Sequence, residues 1–147
     1  MAENMKNSLL IVDDDPFNLT LLTEILKTDY IVRAVSSGKA CIGAAEKFQP
    51  DLIMLDVMMP EMDGYQVFEA LKSSKTTAFI PIIFITGLDK KSDEKKCLQM
   101  GAVDFINKPF DDIIVKLKVY QQIQNVNQLR LIEQLNKEIE SLKNQLL

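Results

Sequence analysis

Residues 52–56 read Leu52-Ile53-Met54-Leu55-Asp56, four apolar side chains closing on a carboxylate. Three further segments share that form. Leu9-Leu10-Ile11-Val12 runs into Asp13-Asp14-Asp15, Ile82-Ile83-Phe84-Ile85 ends on the hydroxyl of Thr86, and Val103-Asp104-Phe105-Ile106 leads into Asn107-Lys108-Pro109. Short continuous apolar runs mark strands buried on both faces of a parallel sheet. Open α/β sheets bind ligands at the carboxyl ends of their strands. Here those ends bring carboxylates, a hydroxyl and an ammonium towards one crevice, a group of donors suited to a hard cation and a phosphoryl group.

Working outward, the segments between the runs have helical spacing: Phe17, Leu21, Leu22, Ile25 and Leu26, then Ala40, Ala44, Ala45 and Phe48, then Val67, Phe68 and Leu71. Pro16 and Gly38 are helix-entry signals. With Ile31-Val32-Arg33-Ala34-Val35 as a further strand, the chain alternates strand and helix throughout. That order predicts an α/β fold with a parallel sheet, right-handed crossovers and helices on both faces. Strands are expected near 8–12, 30–35, 52–56, 81–86 and 103–107, and the polar cluster from Ser73 to Thr77 reads as a loop.

After Pro109 the character changes. Residues 111–147 contain neither Gly nor Pro and carry five basic and five acidic side chains, so they read as one long helix. Such a helix is about 55 Å long and must project beyond a domain of this size. Ile113, Ile114, Leu117 and Tyr120 have the spacing to cover the sheet. The division expected is a domain over 8–120 and a helical extension over 121–147.

The chain has 147 residues, 47% of them hydrophobic, enough for one full core. No apolar run approaches the roughly 20 residues of a membrane span. Glu3, Asn4, Lys6 and Asn7 stand where a signal peptide has its apolar stretch, so a cytoplasmic location is expected. Cys41 and Cys97 lack metal-ligand spacing and read as buried free thiols. A net charge of −4 opposes nucleic-acid binding, which needs a basic face. There is no histidine, which excludes histidine catalysis and any role as a histidine phosphodonor.

Taken together, the acidic pair Asp13-Asp14, the run D-V-M-M-P-E-M-D-G at 56–64, Thr86-Gly87 and Lys108-Pro109-Phe110 resemble the receiver domain of two-component response regulators, over roughly residues 8 to 120. The resemblance implies a five-stranded flavodoxin-like sheet of order 2-1-3-4-5, with the site at the switch point between the first and third strands. It implies a phosphoacceptor signalling domain that takes a phosphoryl group onto Asp56 from a histidine kinase or phosphotransfer protein, in a reaction dependent on Mg²⁺. By carry-over Asp14 is a direct metal ligand and Asp13 acts mostly through water. Asp56 is both ligand and phosphoacceptor, and Met58 offers its backbone carbonyl. Lys108 offsets charge on the phosphoryl group, across a cis bond to Pro109. Thr86 hydrogen-bonds the phosphorylated Asp56, with room left by Gly87. Phe105 matches the switch aromatic, where Tyr is commoner. Met58 and Leu88, two places after Asp56 and Thr86, flank the path of the attacking water and neither can activate it.

Beyond its own slow dephosphorylation, such a chain is not an enzyme. Two rivals follow from the same residues. Asp13 and Asp15 form a DxD after an apolar strand, as in haloacid-dehalogenase-like phosphatases, with Asp111 and Asp112 as a later acidic pair. Against this, Pro16 and Phe17 stand where that family has a small hydroxylic or branched residue, and the later acids open a helix. The other rival, a binding module indifferent to phosphorylation, has no need of the charges kept at Asp13, Asp14, Asp56 and Lys108.

Ile132, Leu135, Ile139, Leu142 and Leu146 alternate at three and four residues, with Ile at two a positions and Leu at both intervening d positions, the combination that favours a parallel two-stranded coiled coil. Glu138 at g and Lys143 at the next e would meet between parallel chains. Asn125 and Gln128 fall at core positions upstream, which predicts a break in the seam near Leu129 to Leu131. A homodimer through this helix is expected.

Overall fold

The computed structural model describes residues 5–87 and 91–147. Strands β1 (Ser8–Val12), β2 (Ile31–Val35), β3 (Leu52–Asp56), β4 (Ile82–Thr86) and β5 (Asp104–Asn107) form one sheet, every pair parallel, in the order β2-β1-β3-β4-β5. Between and after them come helices α1 (Pro16–Leu26), α2 (Gly38–Phe48), α3 (Gly64–Lys72), α4 (Lys91–Met100) and α5 (Asp112–Leu146). This is the flavodoxin-like arrangement that the resemblance implies, and β1 and β3 are neighbours at its switch point.

Side chains alternate across a strand, so each apolar run feeds two cores. Leu10, Val12, Ile53, Leu55 and Phe84 pack with α2 and α3 on one side. Leu9, Ile11, Leu52, Met54, Ile83, Ile85 and Ile106 pack with α1 and α5 on the other. Each such side chain stabilises by about 1.5–3 kcal/mol when fully buried, which is why the central strands tolerate no polar residue until their ends.

Local chemistry starts the helices. Asp15 caps α1 by accepting from Phe17 N–H, and Pro16 follows at the first position. Ser37 caps α2, while Asp63 and Gln66 exchange side-chain and backbone bonds in a capping box at α3. Asp111 caps α5 through Ile113 and Ile114 N–H. The Asp111-Asp112 pair therefore opens a helix, as expected.

Several helix faces differ from the expectation. On α1, Leu22, Ile25 and Leu26 are buried but Phe17 is 71% exposed. On α2 the inward residues are Gly38, Cys41 and Ala45; Phe48 lies outside beneath the Arg33 guanidinium, 4.0 Å from its ring centroid. On α5 the sheet is covered by Val115, Val119 and Ile123, whereas Ile113, Ile114, Leu117 and Tyr120 point outward. Two apolar rows compete on that helix, and spacing alone does not rank them. With the Val115 row inward, the Lys118 ammonium bonds Asp104 Oδ1 at 3.2 Å and the Phe105 carbonyl at 2.5 Å.

α5 passes position 120 without a break. Asn127 exchanges amide hydrogen bonds with Asn7 at 3.0 and 3.3 Å, and Arg130 pairs with Asp51 just before β3. From Leu131 onward every side chain is exposed. Among the described residues no helix is long and apolar enough to cross a membrane, and Cys41 and Cys97 are buried free thiols.

Candidate functional site

The site grows from the alternation of the strands. Asp13 continues the row of Leu9 and Ile11, Asp56 that of Leu52 and Met54, and Lys108 follows Ile106. All three extend the rows facing α1 and α5, and they meet beyond the strand ends. Thr86 continues the Phe84 row and Asn107 the Phe105 row, so these two belong to the opposite face.

Asp13 is wholly buried. Its carboxylate accepts from Asp15 N–H at 2.9 Å and Asn18 Nδ2 at 3.2 Å, and the Lys108 ammonium lies 3.2 Å from Oδ2. Asp56, 2% exposed, takes Met58 N–H at 3.4 Å on Oδ1 and faces Lys108 at 3.4 Å through Oδ2. Asp14 is exposed at the rim. Oxygens of Asp13, Asp14 and Asp56 all lie within 4.8 Å of one another. Lys108 is placed by its N–H bond to the Thr86 carbonyl at 2.8 Å, ahead of a cis bond to Pro109.

The cluster of three carboxylates has one ammonium, which touches Asp13 and Asp56, and the electrostatics reflect the mismatch. Burial pushes the Asp56 carboxyl up, the Asp13 charge adds to this, and Lys108 only partly opposes them, leaving it at about 7. For Lys108, burial pulls the ammonium down, but Asp56 and Asp13 together hold it above its ordinary value. Asp56 Oδ2 is buried and, among the described residues, meets only the Lys108 ammonium at 3.4 Å, with no well-formed hydrogen bond. A convergent set of hard oxygens, negative overall and with an under-satisfied carboxylate oxygen, suits a small divalent cation such as Mg²⁺.

The β3–α3 loop is shaped by Gly64. A Cβ there would stand 2.2 Å from the Asp56 carbonyl oxygen and 2.9 Å from Val57 Cα, so no side chain fits without moving the end of β3. Gly64 N–H in turn bonds the Val57 carbonyl at 2.9 Å. Met59 and Met62 pack into the core while Met58 stays 66% exposed on the rim, so the methionines form no soft-metal cluster. Thr86 is wholly buried and Phe105 half-buried, with Lys118 4.5 Å from its ring centroid. Leu88 lies outside the described residues.

Of the residues expected at the site, Asp13, Asp14, Asp56 and Lys108 come together in this crevice and Met58 stands on its rim, whereas the Thr86 side chain turns to Asn107 on the opposite face, where Phe105 also lies. The expected set includes neither Asn18, which holds Asp13, nor Asn107, whose Oδ1 accepts from the Thr86 hydroxyl at 2.7 Å. Only the β4–β5 register shows the second pairing, since it sets Thr86 opposite Asn107.

Residues 9–120 match the family model described as the response regulator receiver domain. The chain is 36% identical over 125 residues to a probable cyclic di-GMP phosphodiesterase of Vibrio cholerae, covering 85% of this chain and 28% of that protein. It is likewise 36% identical over 129 residues to the response regulator PleD of Caulobacter vibrioides, covering 87% and 28%. The chain thus spans under a third of the length of these relatives. A crystal structure of a putative response regulator from Chloroflexus aurantiacus superposes with a TM-score of 0.77 at 29% identity, covering 81% of this chain and 98% of that one.

Proposed function

The chain belongs to the response regulator receiver domain family and is a phosphoacceptor signalling domain, and within it we propose that Asp56 is the acceptor, served by Thr86 and Lys108. The observation that carries this is the buried Asp56 carboxylate, raised to about 7, in contact with Lys108 and crowded by Asp13 and Asp14. An Asp56 oxygen attacks the phosphorus of a phosphohistidine on a kinase or phosphotransfer protein; the O–P bond forms as the P–N bond breaks. Lys108 lies where it offsets charge on the transferring oxygens.

Asp13, Asp14, Asp56 and the Met58 carbonyl would hold the Mg²⁺, whose charge, when bound, keeps Asp56 ionised and draws electron density from the phosphoryl group. Thr86 then donates to the phosphoryl group and Phe105 repacks. In this reading the chain accepts and relays, and turns over no substrate of its own. Incubation with Mg²⁺ and acetyl phosphate should add one acid-stable, hydroxylamine-labile phosphoryl group, and Asp56→Asn should take none. Undiminished labelling of that variant refutes the assignment; multiple turnover of a phosphomonoester would favour the phosphatase reading.

The division into a receiver over 8–120 and an extension over 121–147 is part of the same proposal, as is a parallel homodimer through the extension. Support comes from the exposure of Ile132, Leu135, Ile139, Leu142 and Leu146, each at 47% or more. At about 100° per residue, this stripe lies roughly half a turn round the helix from Val115, Val119 and Ile123. One face of α5 therefore holds its own receiver while the other is free for a second α5. Ile114 and Leu117 fall on the free side as well.

A further inference from the structure

Thr86 closes β4, Asn107 closes β5, and the parallel register sets them opposite each other. The Thr86 hydroxyl, on a side chain with no solvent exposure, donates to Asn107 Oδ1 at 2.7 Å. A hydroxyl has one proton to donate. While it goes to Asn107 it cannot go to a group on Asp56, whose buried Oδ2 has only the Lys108 ammonium at 3.4 Å among the described residues.

We propose that Asn107 is a latch: its side-chain oxygen holds Thr86 in the unphosphorylated orientation and so sets how far a phosphoryl group must pull to switch the domain. The proposal rests on the reading of Asp56 as acceptor and Thr86 as its responder, and it adds a positioning residue that neither reading requires.

Two features make the bond a latch and not merely part of the sheet. The backbone is tied independently, because Lys108 N–H bonds the Thr86 carbonyl at 2.8 Å, so the side-chain bond can break while the strands stay paired. Its two ends also differ in what release costs. Asn107 is exposed, and water replaces the lost donor. Thr86 is not, and a buried hydroxyl set free needs another acceptor, which a phosphoryl oxygen on Asp56 provides. Phe105, two residues before Asn107 on the same face of β5, lies next to the element that is released. The gap between the two states is therefore set partly by how well residue 107 accepts.

The test uses the full chain with Mg²⁺ and beryllium fluoride as the phosphoryl mimic. Removing the latch in Asn107→Ala should tighten beryllium fluoride binding about fivefold, the factor expected from one net hydrogen bond. The Thr86 methyl resonance of the unphosphorylated variant should move towards its position in the beryllium fluoride complex. In a Thr86→Ala background the same substitution should change the affinity by nothing measurable. Asn107→Asp keeps the oxygen and must not tighten binding, and Asn107→Val carries the same test should the alanine variant misfold.

Unchanged affinity in both Asn107→Ala and Asn107→Val, an equal effect in both backgrounds, or tightening by Asn107→Asp each overturns the latch. If instead the parent chain binds no beryllium fluoride, or Asp56→Asn binds it equally well, the acceptor reading itself has failed.

Discussion

The Lys108 ammonium stands 3.4 Å from Asp56 Oδ2 without bringing that carboxyl down to an ordinary value, because burial and the charge on Asp13 outweigh it. The sign of the resulting pH dependence follows from proton counting. Between the unfolded value of 3.8 and the folded value of about 7, the folded chain keeps a proton on Asp56 that the unfolded chain has lost. Folding is then linked to proton uptake, and stability falls as pH rises. In EDTA, denaturation midpoints from pH 4 to 8 should therefore show an Asp56 contribution declining up to about pH 7, at no more than about 1.4 kcal/mol per pH unit. Asp56→Asn should lack that component. Parallel pH profiles for the two proteins would contradict the electrostatic account.

The second prediction concerns Asp14, which shares the acidic cluster but sits at the exposed rim. Asp14→Asn should weaken Mg²⁺ binding strongly, because a ligand oxygen loses its charge. It should also raise metal-free stability, since one of three crowded charges goes. Exposure limits that gain to under about 1 kcal/mol, because water screens the repulsion. Mg²⁺ titration and melting in EDTA check both parts; a variant that melts lower than the parent would count against crowding.

These contrasts show which parts of the molecule were legible in the sequence. The strands were, because the apolar runs ended on polar residues, and their order came from the resemblance carried by the motifs at those ends. The charged cluster was legible for the same reason: alternation carries Asp13, Asp56 and Lys108 from one buried row to one crevice. Helix rotation was not. Phe17, Phe48, Ile113 and Leu117 have the spacing of core residues yet lie outside, since which apolar row of a helix is buried depends on how it meets the sheet, which no periodicity encodes. Asn107 was hidden for another reason. Its partner is 21 residues away and adjacent only through the β4–β5 register.

A third prediction addresses the lifetime of the phosphoryl group. Met58 is 66% exposed on the rim two residues after Asp56, and a thioether neither orients nor activates water. Met58→Asn should therefore speed loss of the phosphoryl group several-fold by placing a donor and acceptor on the path of attack. Decay of labelled protein after removal of acetyl phosphate measures it. An unchanged rate would mean that this side chain does not border the path.

The last prediction concerns the tail. Burying Ile132, Leu135, Ile139, Leu142 and Leu146 against a second copy would remove from water an apolar stripe that a lone helix leaves exposed. In the single chain Lys143 lies 3.9 Å from Glu140, an exposed pair worth little, so it is free to meet Glu138 of a parallel partner. Where to cut the chain follows from the fold. Ending it near Tyr120 would also remove Ile123 from the core and the ties of Asn127 to Asn7 and Arg130 to Asp51, so loss of a dimer there would be ambiguous. Ending it after Arg130 keeps every one of those contacts and removes the stripe with the rest of the exposed helix. Sedimentation should show the full chain dimerising, more tightly with beryllium fluoride, and the chain ending at Arg130 monomeric but equally stable. Replacing Leu135 and Leu142 by Asp should act like the truncation. A full chain that stays monomeric at high concentration, with and without the mimic, would rule out the coiled coil and leave the stripe as a face for a different partner.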